Sequence, residues 1–181
     1  MKRLSIKSGF TLVELAITTG TFLLLVSVVL ARYRSFGINT DFNNAVENVV
    51  LSLREAQVYG AGGKTAGGVM CGTPPSSFSC AYGVHFQSLG TSYIVFVDTD
   101  GNGVYDSGTD GLVQTVTLPS GVSILEINIG GTLESPLSVV FKRPFPDALI
   151  NNGLSNASIS LTKNGDSSSV TITPAGQIST Q

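Results

Sequence analysis

Apolar residues change their spacing along this chain, and each spacing predicts a different element. From Phe10 to Ala31 they are nearly continuous (FTLVELAITTGTFLLLVSVVLA), 22 residues with Glu14 as the one charge. At about 1.5 Å per residue such a helix extends about 33 Å, enough to cross the hydrocarbon core of a bilayer. From Phe42 to Ala56 the spacing becomes one-sided. Phe42, Val46, Val49, Val50, Leu53 and Ala56 recur at helical intervals, while Asp41, Asn44, Glu47, Asn48 and Arg54 fall mainly on the opposite face. This predicts an amphipathic helix ended by Gly60, Gly62 and Gly63. Gly37 is expected to loosen it between its halves, and Thr40 or Asp41 to cap a restarted turn.

Beyond Gly60 the helical period disappears. Short β-prone runs replace it at Ala81–Gln87, Ser92–Val97, Leu112–Leu118, Val122–Ile129, Leu137–Lys142, Ala157–Thr162 and Ser169–Thr173, separated by Gly, Pro, Asn, Asp and Ser. Tyr93–Val97 is apolar throughout and is expected to be a central strand. Gly60–Ser79 reads as a loop. The predicted class is α+β, with a long N-terminal helix packed on an antiparallel β-sheet head. About 120 residues suffice for a core if the helical stripe covers one sheet face.

Composition narrows the function classes. Ten basic and twelve acidic residues give a net charge of −2, and charged residues are 12% of the chain, against about 25% in ordinary soluble domains. No basic cluster is present, which argues against an electrostatic nucleic-acid interface. An apolar share of 42% argues against disorder. Enzymatic signatures are missing too. Gly60-Ala61-Gly62-Gly63-Lys64-Thr65 has Val58 where a phosphate loop needs its first glycine, and a helix rather than a strand precedes it. His85, the single histidine, lies in a predicted strand with no arranged nucleophile.

Two features carry candidate chemistry. A carboxylate placed five residues into an apolar run costs about 2.5–3.5 kcal/mol on insertion scales, so Glu14 calls for a partner. In the head, Asp98, Asp100, Asn102 and Asp106 occupy positions 1, 3, 5 and 9 of a calcium-loop pattern. Gly103 stands at position 6, and the carbonyl of Val104 would serve position 7. Position 12 is Thr109, and Asp110 comes one residue late. The same residues equally describe a metal-free hairpin tip, because Asp-Gly and Asn-Gly build turns unaided. Both readings stay open, and calcium is the one cofactor that the sequence suggests.

The segment Lys7-Ser8-Gly9-Phe10-Thr11-Leu12-Val13-Glu14-Leu15 resembles the cleavage and methylation signature of type IV pilins and type II secretion pseudopilins. The resemblance implies that a prepilin peptidase cuts after Gly9 and methylates the new amine of Phe10. It implies a leader at 1–9, a pilin helix at 10–59 with 10–31 in the bacterial inner membrane, and a periplasmic or extracellular head at 60–181. Phe10 and Glu14 are four apart, one helical turn, which is expected to place amine and carboxylate on one face. In that family the carboxylate neutralises the amine of a neighbouring subunit during assembly. For a head outside the cytoplasm, Cys71 and Cys80 are expected to form a disulfide, with free buried thiols the alternative.

Val95–Asp98 with the loop after it, Leu118-Pro119-Ser120-Gly121-Val122 and Val170–Ile178 resemble the GspH/FimT group of minor pseudopilins and pilins. Some FimT-like proteins carry Arg beside the C-terminal Gly and bind DNA. Here Gln177 follows Gly176 and no Lys or Arg lies beyond Lys163, which argues against a DNA receptor. The expected function is therefore a non-enzymatic minor pseudopilin that joins other pilin or pseudopilin subunits in a type II secretion pseudopilus or a type IV pilus. One alternative is a major or minor type IV pilin for adhesion, motility or DNA uptake. Another is a membrane-anchored, calcium-dependent binding module.

Overall fold

A computed structural model describes residues 9–65, 71, 80–153 and 155–181, with the backbone alone for 32–39. The cationic leader up to Ser8 and most of the expected Gly60–Ser79 loop lie outside the described residues. Among the described residues one helix, α1 (Leu12–Gly62), precedes ten strands. The strands are β1 (Ala81–Phe86), β2 (Ser92–Asp98), β3 (Gly111–Thr117), β4 (Ser123–Ile129), β5 (Thr132–Leu133), β6 (Leu137–Phe141), β7 (Ala148–Ile150), β8 (Ala157–Lys163), β9 (Asp166–Ile172) and β10 (Ile178–Thr180). The chain forms two compact units, Met1–Thr40 and Asp41–Gln181.

In the first unit, Leu12–Ala31 is long and apolar enough to cross a membrane, and none of its residues is buried. Its hydroxyls turn inward on their own helix. Thr18 donates to Glu14 O, Thr19 to Leu15 O, Thr21 to Ile17 O and Ser27 to Leu24 O. Every one of these donors is thereby satisfied without water, the condition for a polar side chain in lipid. The helix runs on through Gly37, so no turn restarts for Thr40 or Asp41 to cap. One interior glycine costs only about 1 kcal/mol relative to Ala, whereas a break would leave up to four amides and four carbonyls to be capped.

In the second unit the helical stripe predicted from sequence is the buried one. Phe42, Ala45, Val46, Val49, Val50, Leu53 and Ala56 are all in the core. They share it with two antiparallel sheets, in the orders β3-β2-β1-β6-β7 and β10-β9-β8-β4-β5. Seven of the strands match predicted runs, but the head is not one sheet. The chain changes sheets between β3 and β4, where Val122 N–H donates to Pro119 O at 3.0 Å and Gly121 takes φ +81°. Proline and a left-handed glycine turn the chain there, and flanking Leu118 and Val122 stay buried. β2 is interior as expected, but β1 holds the middle of its sheet, between its hairpin partner β2 and the distant β6. The short strands β5, β7 and β10 were not predicted.

Polar clasps and two glycines fix the helix on the sheets. Tyr93 Oη lies 2.9 Å from Ser52 Oγ and donates to Asn48 O at 3.2 Å. Gln57 Nε2 donates to Pro146 O and to Gly176 O, each at 2.9 Å. Lys163, nearly buried, meets Asp41 at 3.6 Å. A Cβ on Gly60 would stand 2.2 Å from Phe141 O, so only glycine lets the helix end approach β6 this closely. Gly176, at φ +77°, leaves no room either: its Cβ would lie 2.0 Å from Pro146 O. At the helix C-terminus Lys64 N–H bonds to Tyr59 O at 3.0 Å, with Gly63 at φ +65°. That is a glycine helix stop, and the lysine amine sits over the Tyr59 ring. A disulfide joins Cys71 to Cys80, both buried.

Candidate functional site

Each unit contains one candidate. In the first, the helix does not begin at Phe10. Gly9, Phe10 and Thr11 precede it, Gly9 and Phe10 are exposed, and Thr11 is the N-cap. Glu14 N–H donates to Thr11 Oγ1 at 3.2 Å, while Thr11 N–H and Oγ1–H donate to Glu14 Oε2 at 3.4 and 3.3 Å. This is a capping box: cap and third helical residue satisfy each other's orphan amides. The expected placing of Phe10 and Glu14 on one helical face is therefore corrected, because Phe10 has no helical turn to share. The Thr-Leu-Val-Glu pattern at 11–14 was the overlooked signal.

The second candidate is the loop between β2 and β3. Of the six residues singled out there, the structure brings three together. One carboxylate oxygen from each of Asp98, Asp100 and Asp110 falls within 4.8 Å of the others. Calcium takes its oxygens at about 2.3–2.6 Å, so ligands on opposite sides of an ion stand about 5 Å apart, and this cluster has the size to hold one. Asn102 joins them through its side-chain amide, which donates to Asp100 Oδ2 at 3.1 Å and also to Asp106, and Val104 N–H donates to Asn102 Oδ1 at 2.8 Å.

The carboxylates already organise the loop backbone. Asp98 accepts from Gly101 N at 2.7 Å and from Gly103 N at 3.0 Å. Asp100 accepts from Asn102 N at 3.1 Å. Asp110 closes the loop, taking Thr99 N at 2.9 Å on one oxygen and Asp106 N at 2.8 Å on the other. Asp110, late for a calcium-loop ligand, is thus well placed to tie the loop's two ends. Each carboxylate has about four acceptor sites, so these bonds leave lone pairs for a cation. Asp98 is almost fully buried. Burial raises its pKa above the ordinary 3.8, the Gly103 and Gly101 amides oppose the shift, and Asp100 and Asp110 reinforce it.

Sequence reasoning missed what lies beneath this loop. The outer face of the first sheet has its own apolar cluster of Ala81, Phe96 and Val140, and Tyr105 of the loop packs on it with Ile94 and Leu149. Gly83 makes the room, since a Cβ there would meet the Phe96 ring at 2.7 Å. The Tyr105 ring lies 5.1 Å from Phe96 and 5.0 Å from His85. Its amide donates to Ser138 Oγ at 3.1 Å, and Ser138 Oγ is 2.9 Å from His85 Nδ1. Burial lowers the His85 pKa below its ordinary 6.5. A lone aromatic in an otherwise polar loop was the available signal. No family model, curated protein or solved structure matches this chain.

Proposed function

We propose that this chain is a non-enzymatic minor pilin or pseudopilin. In this reading it is anchored in the bacterial inner membrane by Leu12–Ala31, processed by a prepilin peptidase between Gly9 and Phe10, and assembled with other pilin-like subunits through that helix. One observation carries the reading. An apolar helix without a buried residue holds a single acid near its start and leads into a chain whose other unit has a core of its own. The capping box explains how Glu14 is tolerated before assembly. Once Phe10 is the N-terminus, its cationic amine on a neighbouring subunit offers the carboxylate a stronger, charge-assisted partner. A GspH/FimT-like place in a secretion pseudopilus or a type IV pilus rests on the sequence resemblance.

Photo-crosslinking from Leu24 in living membranes tests this. The expected products join Leu24 to the apolar helix of another pilin-like subunit. Products with lipid alone would reject assembly through this helix.

A second reading is favoured by the Asp98, Asp100 and Asp110 cluster: a membrane-anchored module whose outer loop binds calcium. The three carboxylates would hold the ion, which would supply positive charge and stiffen the loop. Calorimetric titration of the purified chain with calcium, with and without chelator, tests it. The absence of heat and of any melting shift rejects the ion.

A further inference from the structure

We propose that His85, Ser138 and Tyr105 form an acid-sensitive latch that holds the β2–β3 loop against the outer face of the first sheet. The argument is donor and acceptor bookkeeping. Ser138 Oγ is fully buried and has one hydrogen to give. It accepts from Tyr105 N–H, so its own hydrogen needs an acceptor, and His85 Nδ1 at 2.9 Å is the one in reach. The latch is complete only when Nδ1 is unprotonated. With His85 cationic, Nδ1–H points at Ser138 Oγ as a donor. The serine hydrogen then loses its acceptor inside the protein, and a buried unsatisfied group weakens the arrangement that creates it.

The surroundings give the cation no compensation. β2 places Ile94 opposite His85, β6 places Ser138 opposite it, and the loop places the Tyr105 ring beside it. Tyr105 is the titratable group among these. Burial is the cause that lowers the His85 pKa, and among the described residues no charged side chain contributes. The sign follows: burial holds the latched histidine below its ordinary pKa, so a histidine released from that burial takes up a proton more readily and acidification favours the open loop.

The latch is independent of the assembly reading. Its consequence is local: Asp98 and Asp110 flank the loop, and the latch sets how firmly that loop is held to the sheet. The test is hydrogen exchange on peptides covering Thr99–Asp110, in the full chain in detergent, corrected for the intrinsic pH dependence of exchange. In the unaltered chain the open population should rise about tenfold between about pH 7.5 and 5. In His85→Gln it should not change with pH. Ser138→Ala should open the loop at both pH values. His85→Asn substitutes for His85→Gln should that variant fail to show a cooperative melt. A loop that stays closed at pH 5, or one that loosens equally in the histidine variants, overturns the latch.

Discussion

The two units of this chain bury their apolar residues in opposite ways. In Asp41–Gln181 the helical stripe, both sheets and even the outer sheet face find partners within the chain. In Leu12–Ala31 the large apolar side chains are exposed, Leu24 at 63% and Phe22 at 65%, and every hydrogen bond from a side chain is to the same helix. One region is finished by its own sequence. The other is finished only by what surrounds it, and the proposed surroundings are lipid first and neighbouring helices later. Surface of that extent without a partner in a monomer marks an interaction region.

The contrast is sharpest for a pair of leucines. Leu53→Ala should destabilise the head by about 2–5 kcal/mol, because it empties a fully buried site. Leu24→Ala should leave the melting of the head unchanged. Thermal unfolding of both variants checks this, and equal shifts would break the comparison. Glu14→Val is next. It should leave insertion and head stability intact yet reduce incorporation into filaments at least about tenfold, since it removes a carboxylate whose burial in lipid costs about 2.5–3.5 kcal/mol without a partner. Sheared surface fractions, probed for the chain, measure it.

Smaller effects separate the units further. Replacing Cys71 and Cys80 by Ser should lower head stability by about 2–3 kcal/mol, the chain-entropy value for so short a loop, as a denaturant midpoint would report. Thr11→Ala should cost about 1 kcal/mol at the start of the helix and nothing in the head. Hydrogen exchange at residues 12–15 resolves that difference. Asp110→Ala should loosen Thr99–Asp106, whose ends it ties, and leave the main core protected.

Much of this layout was legible in the sequence where a period was long enough to read. The helical stripe from Phe42 to Ala56 and the seven longer strands follow directly from spacing. β5, β7 and β10 did not, because two or three residues contain no period; β7 is a strand because β6 pairs with it, not because of its own composition. The division into two sheets was equally hidden. It depends on which strands meet across long stretches of chain, such as β1 with β6. At the sites, Asp98, Asp100 and Asp110 were singled out as calcium candidates and do lie together, but their work on loop amides was not seen. Tyr105 and Ser138 escaped because a latch across 33 residues has no local signature. Glu14 was noticed for its charge, and the Thr11 cap that satisfies it was overlooked.

The mature N-terminus tests the central claim most directly. Mass spectrometry of the native chain from bacterial membranes should find a polypeptide that begins at Phe10 and carries an added methyl group on its amine. A native chain that still begins at Met1 would contradict the account.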